Sequence, residues 1–310
     1  MMASVGFTRY GGPEVVEVLD VPVPVPGPGQ LRVRLSATTV NPADVQFRAG
    51  DHAAFVEGAA PPYCGGLEFA GVVDAVGEGA TAVVGDPVVG TSHFIPSGRG
   101  SHAELVVVDQ LAVVPQPASL SPAQAATIPM NGLTARVVLE SLGLEPGEPV
   151  VLTGAAGAVG GYVVELAAAA GLSVVAIASP SDEEALMAMG AAGFVPRGDD
   201  VVQQVLDRFP GGVSGVVDAA MLDDAVLPVL RDGGRFITLR PGHVPEAPRG
   251  IRASLVSFRR HQQRPDILAE LLATLTPRVA EVLPFAGGRA AHDLVDRGGL
   301  RGRVVLSLKG

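Results

Sequence analysis

The sequence holds a single cysteine, Cys64, which excludes an intramolecular disulfide and a cysteine-based structural zinc cluster. That usage fits a reducing compartment. Basic residues are also in short supply: 22 Lys+Arg stand against 32 Asp+Glu, for a formal charge of −10 and a pI near 5.0. A field of that sign repels phosphates at a distance. It argues against nucleic acid or an anionic membrane as the main partner, while a local basic pocket around one phosphate stays open. Long apolar runs are missing as well. The richest, Val150–Ala178, is cut by glycines and turn residues, so no membrane span is expected. The opening MMASVGFTRYGG lacks the apolar core of a signal peptide, and a soluble cytoplasmic protein is the expectation. There is no low-complexity tract and no internal repeat of fixed period.

What is present is apolar material, 47% of 310 residues, enough for a sizeable core and long enough to predict two domains. Forty Gly and 26 Pro point to many turns and close backbone contacts. Up to about residue 120 the chain carries short β-branched runs with Gly/Pro borders: Leu31–Ala37, Gly71–Val76, Asp86–Gly90 and Ala103–Val108. These suit a small, strongly bent barrel. The prolines of Val21–Gln30 lack N–H donors, so this stretch is an extended edge or linker. From Ser121, with Pro122 as its first-turn partner, helical patterns begin. Strands and helices then alternate. PVVLTG, LSVVAIAS, GFVP, GVVDAA and RFITLR are separated by helices over Val159–Ala170, Asp182–Met189, Val201–Phe209 and Asp224–Leu230. Near-continuous apolar strands in that alternation predict a parallel sheet covered on both faces, an α/β architecture. A looser stretch follows Arg240, then a helix over Pro265–Leu275 and a terminal strand GRVVLSL.

The informative segment is VVLTGAAGAVGGYVVELAAAAGLSVVAIAS. An apolar strand ends at Thr153, a glycine-rich turn follows, and a helix feeds a second apolar strand, which is one βαβ unit of the dinucleotide-binding type. Pyrophosphate must approach backbone N–H groups at a helix N-terminus, where unpaired donors and the helix dipole favour an anion. The turn Gly154, Ala155, Ala156, Gly157, Ala158, Val159, Gly160 is the predicted cradle. Gly157 permits the approach and Gly160 lets the helix pack closely. The pattern is not a full G-x-G-x-x-G, since Ala155 holds the first glycine position; a ligand-free strand-to-helix turn would use the same residues.

Cofactor choice turns on the end of the second strand. The Asp or Glu that holds a ribose 2′-OH in NAD enzymes is missing after Ile177-Ala178. Hydroxyls at Ser179 and Ser181 suit a 2′-phosphate, and Arg197 is the nearest candidate cation, with surface solvation as its competing reading. NADP(H) is the expected cofactor, with NAD not excluded. Asp182, Glu183 and Glu184 weigh against it, although Ser181 and Glu184 can be read as a capping box. Ala219 and Leu239, each after a further strand, complete the expected cofactor set.

These segments, together with YGGPEVVEVLDVPVPVPGPGQLRVRL, VNPADVQFRAG, GLEFAGVVDAVGEGA, VGDPVVG and NGLTA, occur in one order over most of the chain. In them the sequence resembles the zinc-free quinone oxidoreductase (zeta-crystallin-like) branch of the medium-chain dehydrogenase/reductase superfamily. The resemblance implies a GroES-like β-barrel catalytic domain, residues 1–122 completed by 256–310, around a Rossmann NADP(H)-binding domain, residues 123–255. It implies an active site in the cleft between them, and a homodimer. Zinc members have a cysteine where this chain has Asn41 and a histidine where it has Leu67, and neither is a good zinc ligand. Glu68 is then an internal structural carboxylate. By the same resemblance Asn41 lies near nicotinamide and substrate, its amide able to hydrogen-bond a carbonyl oxygen that gains charge. An Asn-Pro turn cap is its alternative. Thr134 is a similar case, and Phe55 and Tyr63 belong to a loop near the cleft. The six histidines, His52, His93, His102, His243, His261 and His292, form no metal-spaced group.

Without zinc or a nucleophile–base pair, the protein's task is to orient nicotinamide against an electron-poor carbon and exclude water. The expected activity is NADPH-dependent hydride transfer to a quinone or similar conjugated carbonyl. An enoyl reductase acting on an α,β-unsaturated carbonyl, in secondary metabolism for example, uses the same chemistry. A nucleotide-binding redox sensor with little turnover is the alternative of another class.

Overall fold

Residues 1–240, 242–256 and 264–308 are described by the computed structural model. His261 lies outside them. The chain divides into two compact units, Met1–Met130 with Arg260–Gly310, and Asn131–Arg259.

The first unit opens with a hairpin of β1 (Met2–Gly6) and β2 (Glu17–Val21). Its main sheet contains β3 (Gln30–Val40), β4 (Glu68–Val76), β5 (Pro87–Thr91), β6 (Leu105–Asp109), β7 (Val113–Pro115), β14 (Val279–Pro284) and β15 (Arg303–Ser307), the last two returning from the C-terminal segment. The order is β14-β15-β3-β4-β5-β7, with β6 also on β3. Register shifts at Arg32/Val33 and Leu35/Ala37 bend β3 against β4, which lets one long strand serve several neighbours. Inward-facing Leu31, Val33, Leu35, Phe69, Val73 and Val106 form its core. No strand covers residues 22–29, so the proline-rich stretch is a linker between β2 and β3. Two helices have no counterpart in the sequence pattern: α1 (Pro42–Ala49), which starts at the N-cap Asn41, and α8 (Gly288–Arg297). Ser121 caps α2 (Pro122–Ala125) as expected, through reciprocal bonds with Gln124.

The second unit is a six-stranded, wholly parallel sheet. Its strands are β8 (Pro149–Thr153), β9 (Ser173–Ala178), β10 (Gly193–Pro196), β11 (Val213–Asp218), β12 (Leu230–Thr238) and β13 (Arg252–Leu255), in the order β10-β9-β8-β11-β12-β13. Buried Val150, Val151, Leu152, Val174, Val175, Ala176, Val216 and Val217 explain the unbroken apolar runs, since both faces of the central strands are covered. The crossover elements include α4 (Ala158–Ala169), α5 (Glu183–Ala188) and α6 (Val201–Arg208). Two expectations change here. The helix placed at Asp224–Leu230 is a 3-10 helix over Asp223–Val229, and Pro228 inside it removes an N–H needed for an α-helical ladder. The helix start expected at Ser181 shifts: Pro180 begins a 3-10 turn, and α5 begins at Glu183 behind the N-cap Asp182. β13 arises in the stretch read as loose.

In the C-terminal segment α7 (Pro265–Thr274) and α8 (Gly288–Arg297) complete the first unit. Among the described residues no helix is long and apolar enough to cross a membrane.

Candidate active site

The glycine turn has the geometry its composition predicts. Gly154 leaves β8 at φ +63°, in the left-handed region, and Gly157 is the extended N-cap of α4 with no side-chain cap bond. The first N–H groups of this twelve-residue helix therefore receive no bond from an N-cap side chain. At Gly160 an added Cβ would run into the Gly154 carbonyl oxygen and lie 2.8 Å from Ala155 Cα, so only glycine lets the helix sit this close to the strand. Ala155 is fully buried and its N–H meets the Ile177 carbonyl at 3.3 Å. These are the features a dinucleotide pyrophosphate requires, and the residues present fit that group.

Two buried side chains behind the turn escape a pattern-based reading. Thr153 ends β8 and Asp218 ends β11, directly paired in register, and the threonine hydroxyl donates to Asp218 Oδ1 at 2.6 Å. The signal was a polar residue closing each of two apolar runs, Val150–Leu152 and Val216–Val217. Ala219 follows Asp218 and lies against Gly154, while the Leu239 N–H donates to the Asp218 carbonyl at 3.3 Å. Both predicted positions thus sit at the carboxyl ends of the central strands.

At the end of β9, Ser179 opens the 3-10 turn, and exposed Ser181 follows. Asp182 is buried, whereas Glu183 and Glu184 are exposed. Pro196 pairs with Ala178, and the next residue, Arg197, donates its backbone N–H to the Ala178 carbonyl at 2.8 Å. Ser179 and Arg197 therefore leave neighbouring strands at one place. Thr134 lies buried in α3 (Pro129–Leu142).

In the first unit, Asn41 is wholly buried. Its amide nitrogen points to Thr39 Oγ1 (3.1 Å) and Glu68 Oε1 (3.4 Å), and its Oδ1 has no hydrogen-bond partner among the described residues. The capping bond at this helix start comes from Asp44, which accepts the Asn41 N–H at 2.8 Å and the Gly66 N–H at 2.7 Å. The atom Asn41 leaves open is thus an acceptor, and donation to a carbonyl requires the amide to turn. Glu68 accepts from the Thr39 hydroxyl at 2.6 Å and the Met130 N–H at 2.8 Å, with Arg303 at 3.7 Å. Burial raises its pKa; the Arg303 charge and the donors from Thr39, Met130 and Asn41 pull the other way. Glu68 is an internal strut. Behind it His102 meets the Thr39 carbonyl at 2.9 Å and packs edge-on to His292.

The donor set does not fit a catalytic zinc. Leu67 lies in an apolar cluster with Phe7, Phe47 and Phe94. Burial pushes the Cys64 thiol up to about 11, and its S–H donates to the His102 carbonyl at 3.1 Å, so it is a thiol rather than a metal-ready thiolate. Among the described residues no group of three or more His, Cys, Asp or Glu is arranged to hold a metal. Phe55 and Tyr63 are not adjacent. Phe55 is exposed beside His52, which leads through Phe94 and Phe47 to Tyr63, stacked on Tyr10.

A barrel unit and a parallel-sheet unit with this glycine turn define a two-domain, nicotinamide-dependent oxidoreductase. Residues 27–118 match the alcohol dehydrogenase GroES-like domain, and residues 189–306 match the zinc-binding dehydrogenase family. Quinone oxidoreductase of Lama guanicoe is 28% identical, covering 100% of this chain and 98% of its own. A 2-methylene-furan-3-one reductase of Solanum lycopersicum is 30% identical over 82% of this chain and 66% of its own. A crystal structure described as an NAD-dependent alcohol dehydrogenase superposes with a TM-score of 0.83 at 31% identity, covering 99% of this chain and 100% of that one. The chain belongs to the medium-chain dehydrogenase/reductase superfamily, in its quinone oxidoreductase branch.

Proposed function

We propose that the protein transfers hydride from NADPH to a quinone or similar conjugated carbonyl, without zinc. The observation that carries this reading is the glycine turn at Gly154–Gly160, whose uncapped helix N-terminus and Cβ-excluding contact at Gly160 suit a pyrophosphate. The bound nicotinamide supplies the hydride chemistry. The chain's part is to hold the pyrophosphate on α4 and to meet the ribose phosphate with Ser179, Ser181 and Arg197. It positions the acceptor with Asn41, whose amide turns from Thr39 and Glu68 to donate to the acceptor carbonyl. Units Asn131–Arg259 and Met1–Met130 with Arg260–Gly310 act as cofactor and catalytic domains respectively. Phe55 and Tyr63 offer apolar rings for a planar acceptor. The homodimer and cytoplasmic setting implied by the family likeness belong to the same proposal, and light scattering of the purified protein checks the first.

An enone acceptor is the second reading, favoured by the likeness to the 2-methylene-furan-3-one reductase. Both acceptors present a carbon made electrophilic by a conjugated carbonyl. Steady-state turnover of 1,4-quinones against enones with NADPH separates them. Turnover of enones alone removes the quinone reading, and NADPH binding with turnover of neither leaves a nucleotide sensor.

A further inference from the structure

The parallel sheet changes direction between β8 and β11: β9 and β10 continue on one side, β12 and β13 on the other. Doubly wound sheets take ligands at the carboxyl ends of the strands flanking such a switch. Thr153 and Asp218 bridge it from full burial. Together they also gather three backbone donors from the segment that follows β11. Thr153 Oγ1 accepts the Ala220 N–H at 3.0 Å, Asp218 Oδ1 accepts that of Leu222 at 3.1 Å, and Asp218 Oδ2 accepts that of Asp223 at 2.8 Å. The segment is thereby bent back over the strand ends.

That bend is strained. Met221 (φ 60°) and Asp223 (φ 50°) lie in the left-handed region without being glycine. Such conformations persist where the surroundings over-determine them, and they cluster at ligand sites. Gly154 is the contact point: an added Cβ would lie 3.1 Å from the Ala219 carbonyl carbon and 3.2 Å from the Ala220 nitrogen. Meanwhile Met221 and Leu222 are held 45% and 39% exposed, an apolar lip at the mouth of the switch. Asp223 is tied further by Arg240.

We propose that Thr153 and Asp218 are positioning residues for the dinucleotide. Their hydrogen bond sets the spacing between the glycine turn and segment 219–223, so that both grip one ligand. The inference rests on the dinucleotide reading above. Because the clasp acts at the switch point and not at the ribose phosphate, it affects NADPH and NADH alike.

Three variants of the full chain test it: Thr153→Val, which removes the hydroxyl at nearly constant shape, Thr153→Ser, which restores it, and Met221→Gly, which relaxes the left-handed backbone. Each is titrated with NADPH and with NADH by nicotinamide fluorescence, with thermal unfolding followed in parallel. Thr153→Val is expected to bind both cofactors about tenfold more weakly, and Thr153→Ser to stay within about twofold of wild type. KM for the cofactor rises more than kcat falls. Met221→Gly unfolds at the same or a higher temperature yet binds both cofactors several-fold more weakly. A merely structural pair lowers the unfolding temperature of Thr153→Val and leaves the folded protein's affinity unchanged, which overturns the proposal. If Thr153→Val does not fold, Met221→Gly decides: wild-type affinity in that variant overturns the proposal equally. Wild-type protein that binds neither nucleotide overturns the dinucleotide reading along with it, whereas normal wild-type binding with unaffected variants removes this inference alone.

Discussion

Arg197 starts where Ser179 starts: its backbone N–H is bonded to the Ala178 carbonyl at 2.8 Å, and its side chain is exposed beside the end of β9. A guanidinium there meets a 2′-phosphate without first being desolvated, and a charge-assisted bond to phosphate is stronger than one to a hydroxyl. Replacing Arg197 with Ala is expected to weaken NADPH binding about tenfold and NADH binding less than about twofold. Titrations of both cofactors check it; equal losses remove Arg197 from the phosphate site. Exposed Glu183 and Glu184 oppose it, and neutralising both is expected to tighten NADPH selectively.

Gly160→Ala tests the turn itself. The added methyl meets the Gly154 carbonyl and Ala155 Cα, backbone atoms that cannot rotate away. Overpacking of this kind costs about 1–3 kcal/mol, and relief by pushing α4 outward moves its N-terminal donors off the pyrophosphate. Both the urea midpoint and the affinity for either nucleotide are expected to fall. A stable variant with unchanged affinity would place the pyrophosphate elsewhere.

What could be read in the sequence was local. The βαβ run is visible because strand, turn and helix follow one another. The Ser121 cap is visible because its partner Gln124 is three residues away. The bond from the Asn41 amide to Glu68 escaped because the two lie 27 residues apart, and the Thr153–Asp218 clasp spans 65. No periodicity reports a bond that only the sheet register creates. Helix α1 escaped for another reason: its buried face carries Asp44 and Arg48 beside Phe47 and so shows no apolar stripe. Near Ser181 the helical turn starts one residue earlier, at Pro180, whose φ is fixed.

Zinc dependence can be tested directly. Since Asn41, Leu67 and the protonated Cys64 thiol offer no ligand set, overnight treatment with a strong zinc chelator is expected to leave kcat/KM unchanged. Loss of activity restored by zinc alone would sink the zinc-free mechanism.

Acid stability should report the buried histidine pair. His292, on α8, faces the His102 ring at 5.9 Å between centroids. Burial, then the neighbouring charges of His102 and Arg48, hold its pKa well below the ordinary 6.5. The unfolded chain therefore binds a proton at this residue that the folded protein refuses. Stability from the neutral ring is complete above about pH 6.5 and is lost as pH falls below it. His52 adds to the same trend, because its own partial burial lowers its pKa against the pull of Asp51 and Asp44. The urea midpoint of wild type is expected to drop between pH 7.5 and pH 5.5, and that of His292→Gln to drop less while keeping the share due to His52. An identical drop in the two would assign the acid sensitivity to groups other than His292.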